Sequence, residues 1–314
     1  MCFFSEVEKL SNCLIKKQEP LCKHSTFGVG GNAKYFVFAD TLFFVNRVIN
    51  LATEFNIDYK IIGNGSNLLF SDKGFNGVII CAKNIKDLFY LGGDKVKAMS
   101  GVNINALVDF CIFQGLQGLE NFYGIPATIG GLVTMNGGAF NAQISNFIEE
   151  VECIESGKIK KYFNHECKFG YRKSIFQNKK IFISSVTLKL KKGDKKLSTL
   201  SKNNFFDIRK LIQPLGKSFG STFRNTKNYS AGYLIETAGL KGKSIGGAVV
   251  SDKHANFIIN YKNATAEDAY NLIALIKKEV YKKHKILLKE EVEYVGEFDD
   301  INGRLSHSHK IFKT

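Results

Sequence analysis

The sequence predicts an α+β fold spread over about two or three domains. Three observations carry the prediction. The chain is 314 residues long, with 44% hydrophobic and 23% charged residues, enough for more than one core. Short strand-like runs alternate with helical stripes along it. Two turns of small residues, Gly63-Asn64-Gly65-Ser66-Asn67-Leu68-Leu69 and Gly124-Ile125-Pro126-Ala127-Thr128-Ile129-Gly130-Gly131, each follow an apolar segment.

In chain order, residues 33–38, 58–62 and 78–81 read as strands, and Thr41 to Phe55 carries a helical stripe of Phe44, Val48, Leu51 and Phe55. A second unit follows, with strand-like Val96 to Met99 and a helix over about 105–114 that shares Ala106, Leu107, Phe110 and Cys111 on one face. Val151 to Ile154 and Ile181 to Leu190 read as further strands. The stretch Lys191 to Asn204 is polar and poor in core residues, and marks the expected domain boundary. Beyond it, Thr265-Ala266-Glu267-Asp268 has capping-box spacing and opens a helix. Its stripe Ala269, Leu272, Ile273, Ile276 and Val280 reads as core packing.

Glycines spaced as in the two turns allow positive φ angles and let backbone N–H groups converge on an anion. Two such turns in one domain suit a ligand with a diphosphate, such as a dinucleotide. They read equally well as ordinary tight turns. Neither is the Gly-x-Gly-x-x-Gly fingerprint, nor a phosphate loop ending in Lys-Ser/Thr.

The formal net charge is +15. Lysines are scattered or sit in polar stretches without interleaved aromatics, so a solvated surface is the expected role, and no nucleic-acid partner is expected. Only five arginines occur, and Arg172 and Arg224 fall within the reactive segments below. The seven cysteines include no Cys-x-x-Cys pair. Neither a disulfide framework nor a zinc site is expected, and His307 and His309 lack a further ligand nearby. With acids at the N-terminus and no apolar run of the ~20 residues needed to cross a bilayer, the expectation is a cytoplasmic chain with no membrane span. A monomer is expected.

Four further segments concentrate reactive side chains: Tyr171-Arg172-Lys173-Ser174, Gly220-Ser221-Thr222-Phe223-Arg224-Asn225, Ser251-Asp252-Lys253-His254, and Leu288-Lys289-Glu290-Glu291-Val292. Singly, each has an ordinary reading as a turn, an ion pair or a solvated run. Taken in order with the two glycine turns, they resemble the UDP-N-acetylenolpyruvoylglucosamine reductase family. The resemblance runs from about Ser25-Thr26-Phe27-Gly28 to Gly296 and includes Ala231-Gly232-Tyr233-Leu234-Ile235-Glu236.

The resemblance implies a two-subdomain FAD-binding fold of the vanillyl-alcohol-oxidase (PCMH) type, followed by a smaller α+β substrate domain. The expected division is 1–197 for FAD, with subdomains of about 20–83 and 84–197, then 198–298 for a UDP-sugar, then a frayed tail, 299–314. Non-covalent FAD and NADPH are the implied cofactors. Gly63, Asn64, Gly65, Ser66, Asn67, Leu68, Gly124, Ile125, Pro126, Thr128, Ile129, Gly130, Asn136 and Gly138 are the implied flavin contacts. Ser221 is the implied proton donor, Arg172 and Glu291 flank the enolate that forms, and Tyr171, Arg172, Arg224 and Asn225 contact the substrate.

The implied reaction adds hydride to the vinyl carbon of an enolpyruvyl ether, and the charge left beside the carboxylate must be held and then protonated. An arginine fork suits a carboxylate. A glutamate near an anionic substrate is useful if its pKa is raised. The chain departs from the family pattern at Ala127 for a glycine, Thr134 for a tyrosine, Glu290 for a proline, and Arg224-Asn225-Thr226 for Lys-Asn-Pro. The short interval from Ser221 to Glu291 suits the class without an inserted tyrosine loop. A rival reading is another flavin oxidase of the same fold acting on a sugar or hydroxy acid. A covalent member would need a His or Cys in the flavin turns, and 63–69 and 124–140 contain neither.

Overall fold

The computed structural model describes residues 3–10, 14–155, 157–177 and 181–299. Helix α1 (Phe3–Glu8) buries Phe3 and Val7 against the first body of the chain, where the Phe3 ring meets Tyr35 at 5.2 Å. There, strand Asn32–Phe38, helix α2 (Leu42–Glu54) and strand Tyr59–Ile62 form a crossover unit. α2 starts where the Thr41 hydroxyl accepts the Phe44 N–H at 3.3 Å, and it turns Phe44, Val45, Val48, Ile49, Leu51 and Ala52 inward. The sheet runs Leu14–Pro20, Asn32–Phe38, Phe75–Cys81, Tyr59–Ile62, its first pair antiparallel and the others parallel.

The second body is a five-stranded antiparallel sheet in the order Lys158–Phe163, Ile148–Glu155, Ile181–Lys189, Lys95–Met99, Leu88–Gly92. Helices α3 (Ile104–Phe113) and α4 (Ile129–Thr134) share its core. The face that α3 buries is Ile104, Leu107, Val108, Cys111 and Ile112, so it is rotated from the one expected: Ala106 points to solvent and Phe110 is only half-buried. The β-branched Ile104, Val108 and Ile112 outcompete Ala106, which has little area to bury.

The stretch expected to mark the domain boundary is structured. Lys191–Lys192 pairs with Leu116–Gln117, and helix α5 (Lys195–Ile212) follows, so residue 197 falls inside a continuous helix. The last body sets helices α6 (Ala231–Thr237) and α7 (Ala266–His284) beside an antiparallel sheet ordered Ser218–Ser221, Phe257–Asn260, Ala248–Val250, Ser244–Ile245. α7 opens on a closed capping box. The Thr265 hydroxyl accepts the Asp268 N–H, and the Asp268 carboxylate accepts the Thr265 N–H, each at 3.0 Å. Its expected stripe is buried, and Phe27, Val29 and Leu69 from the first body join the same core.

One pairing positions the site. Strand Glu293–Val295 leaves the last body and pairs in parallel with Leu68–Phe70, directly after the first glycine turn. Residue 291 therefore lies beside residues 63–67. Residues 300–314, most of the expected tail and both of its histidines, lie outside the described residues. Among those described, no helix is long and apolar enough to cross a membrane, and no group of three or more His, Cys, Asp or Glu could hold a metal.

Candidate active site

A cleft of about 1840 Å³ opens where the three bodies meet. A pocket for one drug-sized ligand is roughly 300–1,000 Å³, so this cleft has room for two. Gly63, Asn64, Gly65, Ser66, Asn67 and Leu68 line it from the first body, and Gly124, Ile125, Pro126, Thr128, Gly130 and Gly138 from the second. Arg172, Ser221, Arg224, Asn225 and Glu291 complete the wall.

The two glycine turns touch each other. A Cβ on Gly63 would lie 2.1 Å from the Thr128 hydroxyl oxygen, and Asn64 donates its side-chain amide to the Pro126 carbonyl at 3.3 Å. Gly65 has φ +63°, and a Cβ there would meet the His24 carbonyl oxygen at 2.1 Å. Only glycine satisfies both constraints. The backbone N–H groups of Asn64, Gly65, Ser66 and Asn67 have no acceptor among the described residues.

The second turn differs. Gly124 donates to the Asn105 side chain at 2.7 Å, Ile125 to Phe122 at 3.1 Å and Ala127 to Ile125 at 2.8 Å. Ile129 donates to Val102 at 2.8 Å and Gly130 to Ser100 at 2.9 Å. Its N–H groups are thus largely spent internally. Free N–H groups that could meet an anion therefore gather at the first turn, while most of those in the second are bonded within the fold.

The opposite wall consists of side chains. Arg172, at φ +53°, donates through Nε to the Glu291 carboxylate at 2.6 Å and through its terminal nitrogen to the Gly138 carbonyl at 3.2 Å. Positive φ at a long side chain is a strained placement, and strain of this kind clusters at functional sites. Glu291 is itself held in place. Its N–H donates to Thr222 at 2.8 Å, and its carbonyl accepts the Asn67 side-chain amide at 2.9 Å. Burial pushes the Glu291 carboxyl above its ordinary pKa, outweighing the opposite pull of Arg172 and Arg224.

Arg224 is anchored by its backbone N–H on Lys289 at 2.9 Å, while its buried Nε has no partner. The Ser221 hydroxyl has no partner among the described residues. It follows Gly220, whose φ is +75° and whose Cβ position is open space. Asn225 donates its N–H to the Tyr171 hydroxyl at 3.2 Å and accepts from Ala231 at 2.9 Å.

Three candidates stand apart from the cleft lining. Ile129 is fully buried in the second core. Asn136, also buried, donates to Gln143 and Gly170 at 2.9 and 2.8 Å and accepts from Ser145 at 3.2 Å. Tyr171 is exposed, with the Arg172 guanidinium 5.1 Å from its ring centre. Sequence reasoning missed other lining residues. Arg209, on α5, donates to the Tyr123 and Asn121 carbonyls at 3.1 and 3.0 Å and so holds the approach to the second turn. Tyr270, Asn271, Ala274 and Lys277 line the cleft from the face of α7 beside its buried stripe. The scarcity of arginine marked Arg209 out, but nothing in its neighbours pointed to a site.

The FAD binding domain family matches residues 33–161, and the family described as UDP-N-acetylenolpyruvoylglucosamine reductase, C-terminal domain, matches residues 213–295. An FAD-binding body joined to such a domain around one cleft defines the class, a flavin-dependent oxidoreductase on the two-subdomain FAD-binding fold. Among curated proteins, the UDP-N-acetylenolpyruvoylglucosamine reductase of Caldicellulosiruptor bescii is 40% identical over 287 residues, covering 90% of this chain and 91% of that one. The protein of the same name from Carboxydothermus hydrogenoformans is 38% identical over 294 residues, covering 93% and 97%. The chain belongs to the UDP-N-acetylenolpyruvoylglucosamine reductase family. A solved structure of that reductase from Thermus caldophilus superposes with a TM-score of 0.78 at 34% identity, covering 90% of this chain and 100% of that one. The Physcomitrella patens BBE-like 1 structure, at 16% identity, a TM-score of 0.51, and 61% and 44% coverage, shares the fold.

Proposed function

We propose that the cleft carries out the NADPH-driven reduction of UDP-N-acetyl-3-O-(1-carboxyvinyl)glucosamine to UDP-N-acetylmuramate, a step of peptidoglycan precursor synthesis that serves cell shape and division. The observation that carries this reading is the convergence of Arg172, Glu291, Arg224 and the unpartnered Ser221 hydroxyl on one wall, facing free backbone N–H groups across the cleft.

FAD fits that opposite side. The free N–H groups of Asn64 to Asn67 suit its diphosphate, and Gly63 and Gly65 hold that turn against Thr128 and His24, where a Cβ would collide. When bound, FAD would supply the hydride chemistry that links NADPH oxidation to reduction of the vinyl carbon of the sugar ether. The chain's own residues do the rest. Arg172 and Arg224 orient the substrate carboxylate and hold the charge that grows on it. Tyr171 and Asn225 bound the same edge. Ser221 gives its hydroxyl proton to the carbon next to the carboxylate, completing addition of two hydrogens across the double bond, and regains a proton from water. Glu291, with its proton affinity raised by burial, donates a hydrogen bond to the enolate when Arg172 turns to the substrate.

Residues 1–197 serve the flavin and 198–298 the UDP-sugar, with α5 shared between them. No tyrosine loop interrupts α6, the sheet and α7, which suits the shorter class. The enzyme works as a cytoplasmic monomer. The test uses the purified protein under anaerobic conditions. Acid precipitation should release all the flavin, NADPH alone should bleach it, and the enolpyruvyl sugar should restore the colour. Flavin that stays with the precipitated chain, or colour that the sugar does not restore, would overturn the reading.

A further inference from the structure

We propose that the outward face of α5, with the lysine-rich stretch leading into it, is a peripheral docking surface for an anionic lipid bilayer. The helix is apolar on two sides. Its face toward the body packs Phe205 on Phe140 and Phe206 on Tyr123, with Ser198 and Arg209 buried beside them and Lys202 paired with Asp109 at 2.8 Å. Its face toward solvent carries Leu197, Leu200, Ile208 and Leu211, with Ile212 at its end bordering the cleft. Leu197 is 67% exposed and Leu211 74%. At about 100° per residue these helix positions fall in one sector roughly 120° wide. An ordinary surface helix of a globular protein turns such a stripe inward. Phe113, 70% exposed with the Lys195 amine 5.1 Å from its ring centre, extends the apolar area.

Charge selects the occupant. Residues 191–212 hold seven cations and two acids. Asp194 is spent capping α5, accepting the Lys196 and Leu197 N–H groups at 2.8 and 2.9 Å, and Asp207 is spent on Lys210 at 3.0 Å. Lys191, Lys192, Lys195 and Lys196 remain exposed at one end of the stripe. An aliphatic stripe with a basic border matches the acyl and headgroup layers of an anionic bilayer, which would take the leucines a few ångströms deep and the lysines at the phosphates. A second copy of this chain would bring these lysines against their own equivalents. A single-stranded nucleic acid needs several aromatic faces for its bases, and this face offers Phe113 among aliphatic side chains.

The test is flotation of the full-length, FAD-loaded protein with phosphatidylcholine vesicles, with and without phosphatidylglycerol. Binding should require the anionic lipid and weaken with added salt. Each lysine near such a surface is worth roughly fivefold, so Lys192→Gln with Lys196→Gln should weaken binding about 25-fold. Leu197→Glu with Leu211→Glu should abolish it, leaving the flavin spectrum and NADPH oxidation unchanged. Equal binding to uncharged vesicles, or binding to neither kind, would overturn the proposal. So would a concentration-dependent dimer, seen by light scattering and lost in the leucine variant, which would assign the face to a second copy. Leucine-variant protein that still floats with the anionic vesicles as well as the unaltered protein would likewise overturn it.

Discussion

The two sides of the cleft are made of different material. One side is backbone: Asn64 to Asn67 offer N–H groups, and Gly63 and Gly65 let their turn pack closely on Thr128 and His24. The other side is side chain: Arg172, Ser221, Arg224 and Glu291 come from distant segments and meet only in the fold. A backbone side recognises a large ligand by shape and by fixed dipoles, whereas a side-chain side can titrate, donate protons and carry charge. Damage to the first should therefore cost flavin, and damage to the second should cost rate with the flavin retained.

The largest expected effect tests the side-chain half. Ser221→Ala should retain FAD and its reduction by NADPH, yet slow reoxidation by the enolpyruvyl sugar roughly 10²–10⁴-fold. Ser218 is the control. Its hydroxyl is committed to the Gly220 N–H at 3.4 Å, and Ser218→Ala should cost little. Stopped-flow measurement of each half-reaction separates the two. Equal defects at both serines would place the proton donor elsewhere.

Next comes Glu291. Burial raises its pKa, so the folded protein holds this proton more tightly than the unfolded chain does. The stability linked to the protonated form is present at low pH and lost as pH rises through the raised value. If the neutral carboxyl serves the enolate, the rate of the sugar half-reaction should fall over the same rise. Glu291→Gln should be about 10²-fold slower and lose that pH dependence. A variant with the wild-type profile would assign the titration to another group.

How much of this was legible follows the same divide. Periodicity located α2, the α7 stripe and the strands, because those residues bury one face against one core. The capping box at Thr265 was visible because its partners lie three positions apart. The glycine turns were visible too, but their spacing could not tell the free N–H groups of 64–67 from the spent ones of 124–130. That difference depends on Asn105, Ser100 and Val102, which no local pattern connects to the turn. The side-chain wall was reachable only through resemblance to a family, since Arg172 and Glu291 lie far apart in sequence. The helix α5 was not legible in the stretch expected to mark a boundary, because several of its apolar residues face solvent, against the rule that makes amphipathic stripes readable.

A smaller effect tests the backbone half. Gly65→Ala adds a Cβ at φ +63° that would lie 2.1 Å from the His24 carbonyl oxygen. The left-handed placement alone costs about 1–2 kcal/mol, and the contact adds to it. FAD affinity should fall tenfold or more, while the rate of fully reloaded enzyme changes little. Gly239→Ala is the matched control, since φ is +76° there but nothing lies within 4 Å of the added carbon. It should lower the melting temperature slightly and leave flavin binding alone. Fluorescence titration of FAD into the stripped proteins decides the point, and equal affinities in the two variants would deny the turn its role.

The smallest effect is expected at Glu290, adjacent to the residue that matters most in the second prediction. Both glutamates border the cleft, but their carboxylates are spent differently. Glu291 reaches Arg172, while Glu290 reaches Lys277 on α7 at 2.7 Å, and both members of that pair keep about a quarter of their side chains in solvent. A partly solvated pair of this kind is worth about 0.2–1 kcal/mol. Glu290→Gln should therefore lower stability by no more than that, measured by denaturant unfolding, and change the sugar half-reaction less than about threefold. Residue 290 is also where the family pattern has a proline, a residue with no charge to contribute. A loss at Glu290→Gln approaching that of Glu291→Gln would mean that the two carboxylates act together, and the catalytic wall would have to be drawn one residue wider, with Lys277 included.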